Sequence, residues 1–192
     1  MRADPRPKEF LDALASLPPS VRAVKRLYAT GKTGDGDRLT LAFVAPKRLT
    51  FRVAREDGRE TLRFETDGKI SVAKRAGEKR SLRTKGVQLP GDAPRLASLL
   101  FDPTYFSEFG APSPDDGEYS YHVESETVGG VAFVKARYQG GDSIGRDRAG
   151  FLRWDAKTGI PREWNVYHGT SSPMDSSGFD SHETWSVLQV TR

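Results

Sequence analysis

The chain has 192 residues, 36% of them hydrophobic, with three Trp, six Tyr and ten Phe, enough bulky apolar material for one folded domain without covalent staples. Its 30 basic and 26 acidic residues leave a formal charge of +4, and acids interrupt the basic stretches, as in Arg55-Glu56-Asp57-Gly58-Arg59-Glu60, which argues against a nucleic-acid patch. The lack of cysteine excludes disulfides, thiolate metal sites and cysteine nucleophiles, and no apolar run approaches the roughly 20 residues needed to cross a bilayer as a helix.

From the N-terminus, Pro7 to Leu17 places Phe10, Leu11, Leu14 and Leu17 at spacings of three and four, predicting a short amphipathic helix that Pro18 and Pro19 stop. Val21 to Thr30 reads as a further helical turn or a first strand. After a Gly and Asp loop at Lys32 to Gly36, strands are predicted over Asp37–Ala45 and Lys47–Glu56, joined through Pro46. In them Leu39, Leu41 and Phe43, then Leu49, Phe51 and Val53, alternate with polar or small residues, the period of two of a sheet with one dry face.

Asp57-Gly58 and Asp67-Gly68 are hairpin turns by composition, and they bracket a strand over Arg59–Thr66. Lys69–Arg75 and a short strand through Arg83 follow. Over about 93–109 the period changes: Leu96, Leu99, Leu100 and Phe101 predict a helix broken at Pro103, followed by an aromatic cluster of Tyr105, Phe106 and Phe109. Strands are predicted again over Glu118–Val128, Val131–Gln139, Phe151–Asp155, Ile160–His168 and His182–Thr191. Polar loops are expected at Gly140–Gly150 and Gly169–Gly178. No repeat or linker divides the chain, so one domain over 1–192 is expected.

Chemistry-bearing patterns are sparse. His122, His168 and His182 lack ligand spacing, and Gly34-Asp35-Gly36-Asp37 lacks the ligand positions of an EF-hand. The hydroxyls from Thr170 to Ser177 have no nucleophile elbow, and Gly140 to Gly145 has no phosphate-binding lysine. Phe51-Arg52, Arg63-Phe64 and Arg153-Trp154 could mark a single-strand nucleic-acid platform, but the same pairs arise whenever a strand alternates an inward ring with an outward guanidinium.

Several segments occur in an order that resembles the LolA/LolB-type lipoprotein carrier family. They are the amphipathic start Phe10–Leu17, the corner Phe43-Val44-Ala45-Pro46-Lys47-Arg48-Leu49-Thr50-Phe51, and the strand end and turn Phe64-Glu65-Thr66-Asp67-Gly68-Lys69. The helix Pro94–Phe101 and the hairpin Trp154-Asp155-Ala156-Lys157-Thr158-Gly159-Ile160-Pro161-Arg162-Glu163-Trp164 complete the set. The resemblance implies an α+β fold: a curved antiparallel β-sheet, or incomplete β-barrel, with an N-terminal helix and a mid-chain helical lid over its concave face.

It further implies a non-enzymatic binder of a lipid, a lipoprotein acyl chain or another apolar ligand in the periplasm or cell envelope, with an export signal lying upstream of residue 2; a cytoplasmic origin is the alternative. The residues expected to line the site are Leu41, Phe43, Leu49, Phe51, Leu62 and Phe64 on the sheet, with Leu99, Phe101, Tyr105 and Phe106 on the lid. Expected partners are a lipid or acylated protein and an envelope protein, with no nucleic acid, no transmembrane segment, no cofactor and a monomeric state. The competing expectation is an envelope sensor or protein-interaction domain whose groove is filled by its own side chains.

Overall fold

The computed structural model describes residues 6–102, 114–142, 147–168 and 179–192. In chain order its elements are α1 (Lys8–Ala15), α2 (Leu17–Arg22), β1 (Arg26–Thr33), β2 (Arg38–Val44), β3 (Arg48–Ala54), β4 (Glu60–Thr66), β5 (Ile70–Arg75) and β6 (Leu82–Lys85). Then come α3 (Arg95–Phe101), a 3-10 turn (Pro114–Asp116), β7 (Gly117–Val128), β8 (Val131–Asp142), β9 (Asp147–Asp155), β10 (Pro161–His168) and β11 (Phe179–Thr191). The strands pair in the order β6-β5-β4-β3-β2-β1-β11-β10-β9-β8-β7. The order is open, ending at β6 and β7, so the chain is α+β with an unclosed antiparallel sheet. Among the described residues no helix is long and apolar enough to cross a membrane.

Two departures from the sequence expectations have local causes. Pro18 and Pro19 end α1 but also lie in the first turn of α2, where the amides have no intrahelical acceptor to lose and proline costs little. Gly140–Gly150, expected as a polar loop, is largely strand: β8 runs to Asp142 and β9 starts at Asp147. Gly140 is the reason pairing survives there, since a Cβ on it would meet the Glu118 carbonyl oxygen of the neighbouring strand at 2.0 Å. The helix expected over 93–109 is seen from Arg95 to Phe101. Its continuation, with Tyr105, Phe106 and Phe109, lies outside the described residues, as does the polar segment 169–178.

The chain divides into two compact units. The first comprises Met1–Ser20 and Thr104–His182. In it α1 packs on β7 and β8, with Phe10 edge-on to Tyr121 at 5.2 Å between ring centroids. One face of β8, β9 and β10 buries Ala136, Tyr138, Leu152, Trp154, Trp164 and Val166. The β9–β10 turn is tied by Asp155, whose Oδ1 accepts the amides of Lys157 and Thr158 and whose Oδ2 accepts from Arg162. Burial alone would raise the Asp155 carboxyl, but the Thr158 amide and the Arg162 guanidinium outweigh it and hold it below its usual range.

The second unit comprises Val21–Pro103 and Glu183–Arg192. Here β1 to β6 form an antiparallel meander, and the C-terminal part of β11 pairs with β1. The Asp67-Gly68 turn is closed as its composition predicts: Gly68 takes φ +89°, and Asp67 Oδ1 accepts the amides of Lys69 and Ile70 at 2.8 and 2.9 Å. Those two amides also hold the Asp67 carboxyl below its usual range.

Gly31 has a different duty. It sits opposite Trp185 across β1 and β11, and a Cβ there would meet the Thr184 carbonyl oxygen at 2.3 Å and the indole at 3.0 Å. The missing side chain is what lets the ring lie across the strand. Gly31→Ala is therefore expected to destabilise by about 1–3 kcal/mol, as overpacking does. Gly91→Ala, where a Cβ would meet nothing within 4 Å, should stay within about 0.5 kcal/mol. Urea-unfolding midpoints of the two variants check the contrast, and equal midpoints would refute the close-approach account.

Candidate functional site

The sheet residues expected to line a site fall on one face of the second unit. Phe43 lies opposite Leu49, and Leu41 opposite Phe51. Phe51 is in turn opposite Phe64, and Val53 opposite Leu62. Because side chains two apart on a strand share a face, Leu41, Phe43, Leu49, Phe51, Leu62 and Phe64 make a continuous apolar layer over β2, β3 and β4. Phe51 and Phe64 stack at 5.0 Å.

Residues of α3 close over this layer. Phe101 meets Phe43 edge-on at 6.0 Å, Leu99 is 1% exposed, and Leu96, Ala97 and Leu100 are buried with it. The structure thus brings together the six sheet residues and Phe101, buries Leu99 in the same helix, and does not describe Tyr105 or Phe106. The layer is closed: Leu41, Phe51 and Phe64 are no more than 1% exposed. Leu49 also lines a cavity of about 360 Å³ shared with Thr66, Ile70, Val72, Arg48 and Arg83.

Buried hydroxyls beside the layer are used by the backbone. Thr66 Oγ1 donates to the Ile70 carbonyl and accepts the Gly68 amide. Ser71 Oγ donates to the Gly86 carbonyl and accepts the Gln88 amide. These two hydroxyls are thus engaged, and the buried face of β2–β4 itself is an apolar surface.

What holds α3 down came from no sequence signal. The helix begins at Pro94, which has no side-chain cap. The acceptor comes instead from β11: both carboxylate oxygens of Glu183 accept the Arg95 amide, at 2.8 and 2.9 Å. Trp185 Nε1–H donates to the same carboxylate at 3.1 Å. Glu183 is 8% exposed. Burial pushes its carboxyl above the usual range, and the Arg95 amide, the Trp185 indole and the Arg95 charge pull it part of the way back. A second tie precedes the helix, where Arg75 grips Asp92 with two nitrogens at 3.2 and 2.7 Å.

In the first unit the polar sheet face is internally compensated. Arg153 bridges Glu126 and Glu163 at 3.1 and 2.8 Å, and Glu163 also meets His182 at 3.2 Å. Lys135 and Arg137 share Glu124, and Lys135 and Arg153 lie over the rings of Phe151 and Phe133. His122 is exposed on β7. Phe51, Phe64 and Trp154 are all buried, so the rings that alternate with arginine are not available to stack on bases. Among the described residues no group of three or more His, Asp or Glu could hold a metal ion. A larger cavity, about 760 Å³, lies in this unit between Pro114, Tyr119, Gly140 and Arg148.

No family model matches the chain, and no curated protein matches it. Among solved structures it is similar to the Mycobacterium tuberculosis lipoprotein LppX, at 11% identity and a TM-score of 0.46 over 93% of each chain. It is also similar to MucB, solved in complex with MucA(peri), at 14% identity and a TM-score of 0.44, covering 96% of this chain and 56% of MucB.

The Glu183 contact has a pH signature. A carboxyl raised above its ordinary 4.5 by folding binds its proton more tightly in the native state. Its contribution to stability is full below about pH 4.5 and is lost as the pH rises through the raised value. Glu183→Gln keeps an acceptor for the Arg95 amide without the buried charge. Its stability relative to the parent should therefore improve between about pH 4 and pH 8, measured by urea unfolding, and a pH-independent difference would refute this account. Glu183→Ala leaves both donors buried without an acceptor and should cost about 1–3 kcal/mol at about pH 5.

Proposed function

We propose that this chain is a non-enzymatic, LolA-like binding protein of the cell envelope, taking up a lipid, a lipoprotein acyl chain or a similar apolar ligand on the β2–β4 layer beneath α3. The observation that carries this reading is the unequal construction of the two halves of the site. The sheet half is a broad wall of Leu and Phe set by strand register. The helical half is a seven-residue segment that starts on a proline without a cap.

A helix of that length has little stability of its own in water. It is kept by its packing, by Glu183 and by the tie through Asp92, so it is the part that moves when a ligand replaces it. Each methylene buried in its place contributes about 0.8 kcal/mol. An acyl chain of roughly a dozen carbons gains on the order of 10 kcal/mol before the cost of lifting the helix. Leu41, Phe43, Leu49, Phe51, Leu62 and Phe64 would take the chain, and Leu99 and Phe101 would ride on the lid.

A second reading rests on a specific observation. The layer is already filled by the chain's own side chains, with Phe64 and Leu41 fully buried, as expected of a sensor or protein-interaction domain that docks an envelope partner elsewhere.

Native mass spectrometry of freshly purified protein separates the two. Co-purifying lipid, removed by organic extraction and replaced by a fluorescent fatty acid, supports the binder; a clean apo mass together with no uptake of the probe supports the interaction domain. Since Leu99 is 1% exposed, an aspartate there would disturb folding along with retention. Phe101→Ala, at a half-buried position, is the cleaner probe. It is expected to change fatty-acid affinity about tenfold while leaving the far-UV circular dichroism unchanged, and an unchanged affinity would remove α3 from the site.

A further inference from the structure

The basic residues of the second unit are unevenly placed. Arg26 opens β1, Lys47 and Arg48 lie at the β2–β3 turn, Lys69 at the β4–β5 turn, and Lys85 closes β6. In a meander these positions share one end of the sheet. Register makes this concrete: Arg26 is opposite Val44, Val44 opposite Arg48, and Ile70 opposite Lys85. The two turns also touch, since a Cβ on Gly68 would lie 2.5 Å from Lys47 Cβ.

All five cations are exposed. None is within ion-pair distance of a carboxylate among the described residues, where Arg52, Arg63 and Arg75 of the same unit are paired. The five cations outnumber the acids beside them: Asp67, which closes its own turn and also feels the Lys69 charge, and Glu65, 4.0 Å from Arg63. At the opposite strand ends Asp35, Asp37, Glu56, Asp57 and Glu78 offset the cations.

Apolar side chains stand among these charges on the face away from the buried layer. Leu27, Ala29, Leu41 and Phe43 point inward, so Arg26, Tyr28 and Val44, at alternate positions, point outward. Tyr28 and Val44 are each 41% exposed. The β1–β11 register shifts between Tyr28 and Ala29, pairing Tyr28 with Gln189 and Ala29 with Val187. The extra residue is Leu188, which is 62% exposed. A bulge that presents a leucine to water beside a tyrosine and unpaired arginines has no folding benefit that the structure shows.

We propose that this end of the second unit is a docking surface for an anionic lipid bilayer. The cations would meet headgroup phosphates, Tyr28 would sit at the headgroup level, and Leu188 and Val44 would enter the acyl boundary. A free polyanion would use the cations but has no place for Leu188 and Val44, which is why a membrane is the favoured partner. The surface is separate from the β2–β4 layer and does not depend on its ligand.

The test is co-sedimentation of the full chain with vesicles of phosphatidylcholine containing roughly one-third phosphatidylglycerol, at about 0.1 M salt, where the screening length is about 10 Å. The chain should sediment with these vesicles and not with pure phosphatidylcholine. Arg26→Gln with Arg48→Gln should lower the affinity on the order of 25-fold, at roughly fivefold per basic residue. Leu188→Ser should lower it at least about threefold while leaving retention on heparin unchanged. All three positions are exposed, and thermal unfolding checks that the variants fold. Absence of sedimentation with the anionic vesicles overturns the proposal. So does loss of both vesicle and heparin binding in the arginine pair with no effect of Leu188→Ser, which would mark a polyanion or acidic-protein surface instead.

Discussion

A helix that begins on proline has no side-chain cap of its own, and in the second unit the start of α3 is capped by a buried carboxylate from the far end of the chain. Glu183 accepts the Arg95 amide with both oxygens and is braced by the Trp185 indole. The indole lies where it does because Gly31 leaves room for it. The chain of dependence runs from a missing side chain on β1, through a ring and a carboxylate on β11, to the helix that closes the apolar layer. Each link is local, yet together they join residues that lie some 150 positions apart in the sequence.

This arrangement carries an opposition. Capping a helix with an ionised carboxylate is favourable at the positive end of the peptide dipoles, whereas burying that carboxylate is not, and burial is the largest influence on it. The contact therefore holds α3 less firmly than its geometry alone suggests. The Leu and Phe wall has no such weakness, because its residues are set by hydrogen-bonded register on three adjacent strands.

Charge is also distributed by architecture. In the first unit Arg153, Lys135 and Arg137 spend their charges on Glu126, Glu163 and Glu124 within the sheet face. In the second, cations separated by some twenty residues at a time gather at one end of the meander in excess of the carboxylates there. The acid-interrupted runs that argued against a basic patch describe neighbours along the chain, and a meander makes neighbours of turns instead.

Much of the layout was legible from residues alone. Period-two alternation located β2 to β5 to within one or two residues, and the Asp-Gly turns and the Asp155–Pro161 hairpin were legible because a single side chain and its next few amides close each of them. Which apolar residues of β2, β3 and β4 share one buried face was legible too, since alternation decides it. Errors arose where a residue's role is set by a distant partner. Gly140 reads as a loop signal but admits a neighbouring carbonyl, and Pro18 and Pro19 read as a stop but begin another helix.

Local composition thus determined the strands, the turns and the inward-facing residues, because those follow from backbone conformation and the side-chain period. The tertiary structure alone decided that Glu183 caps α3, that Trp185 lies over Gly31, and that scattered arginines and lysines share one rim. These depend on which strand ends meet, and no interaction within a short window of sequence encodes that.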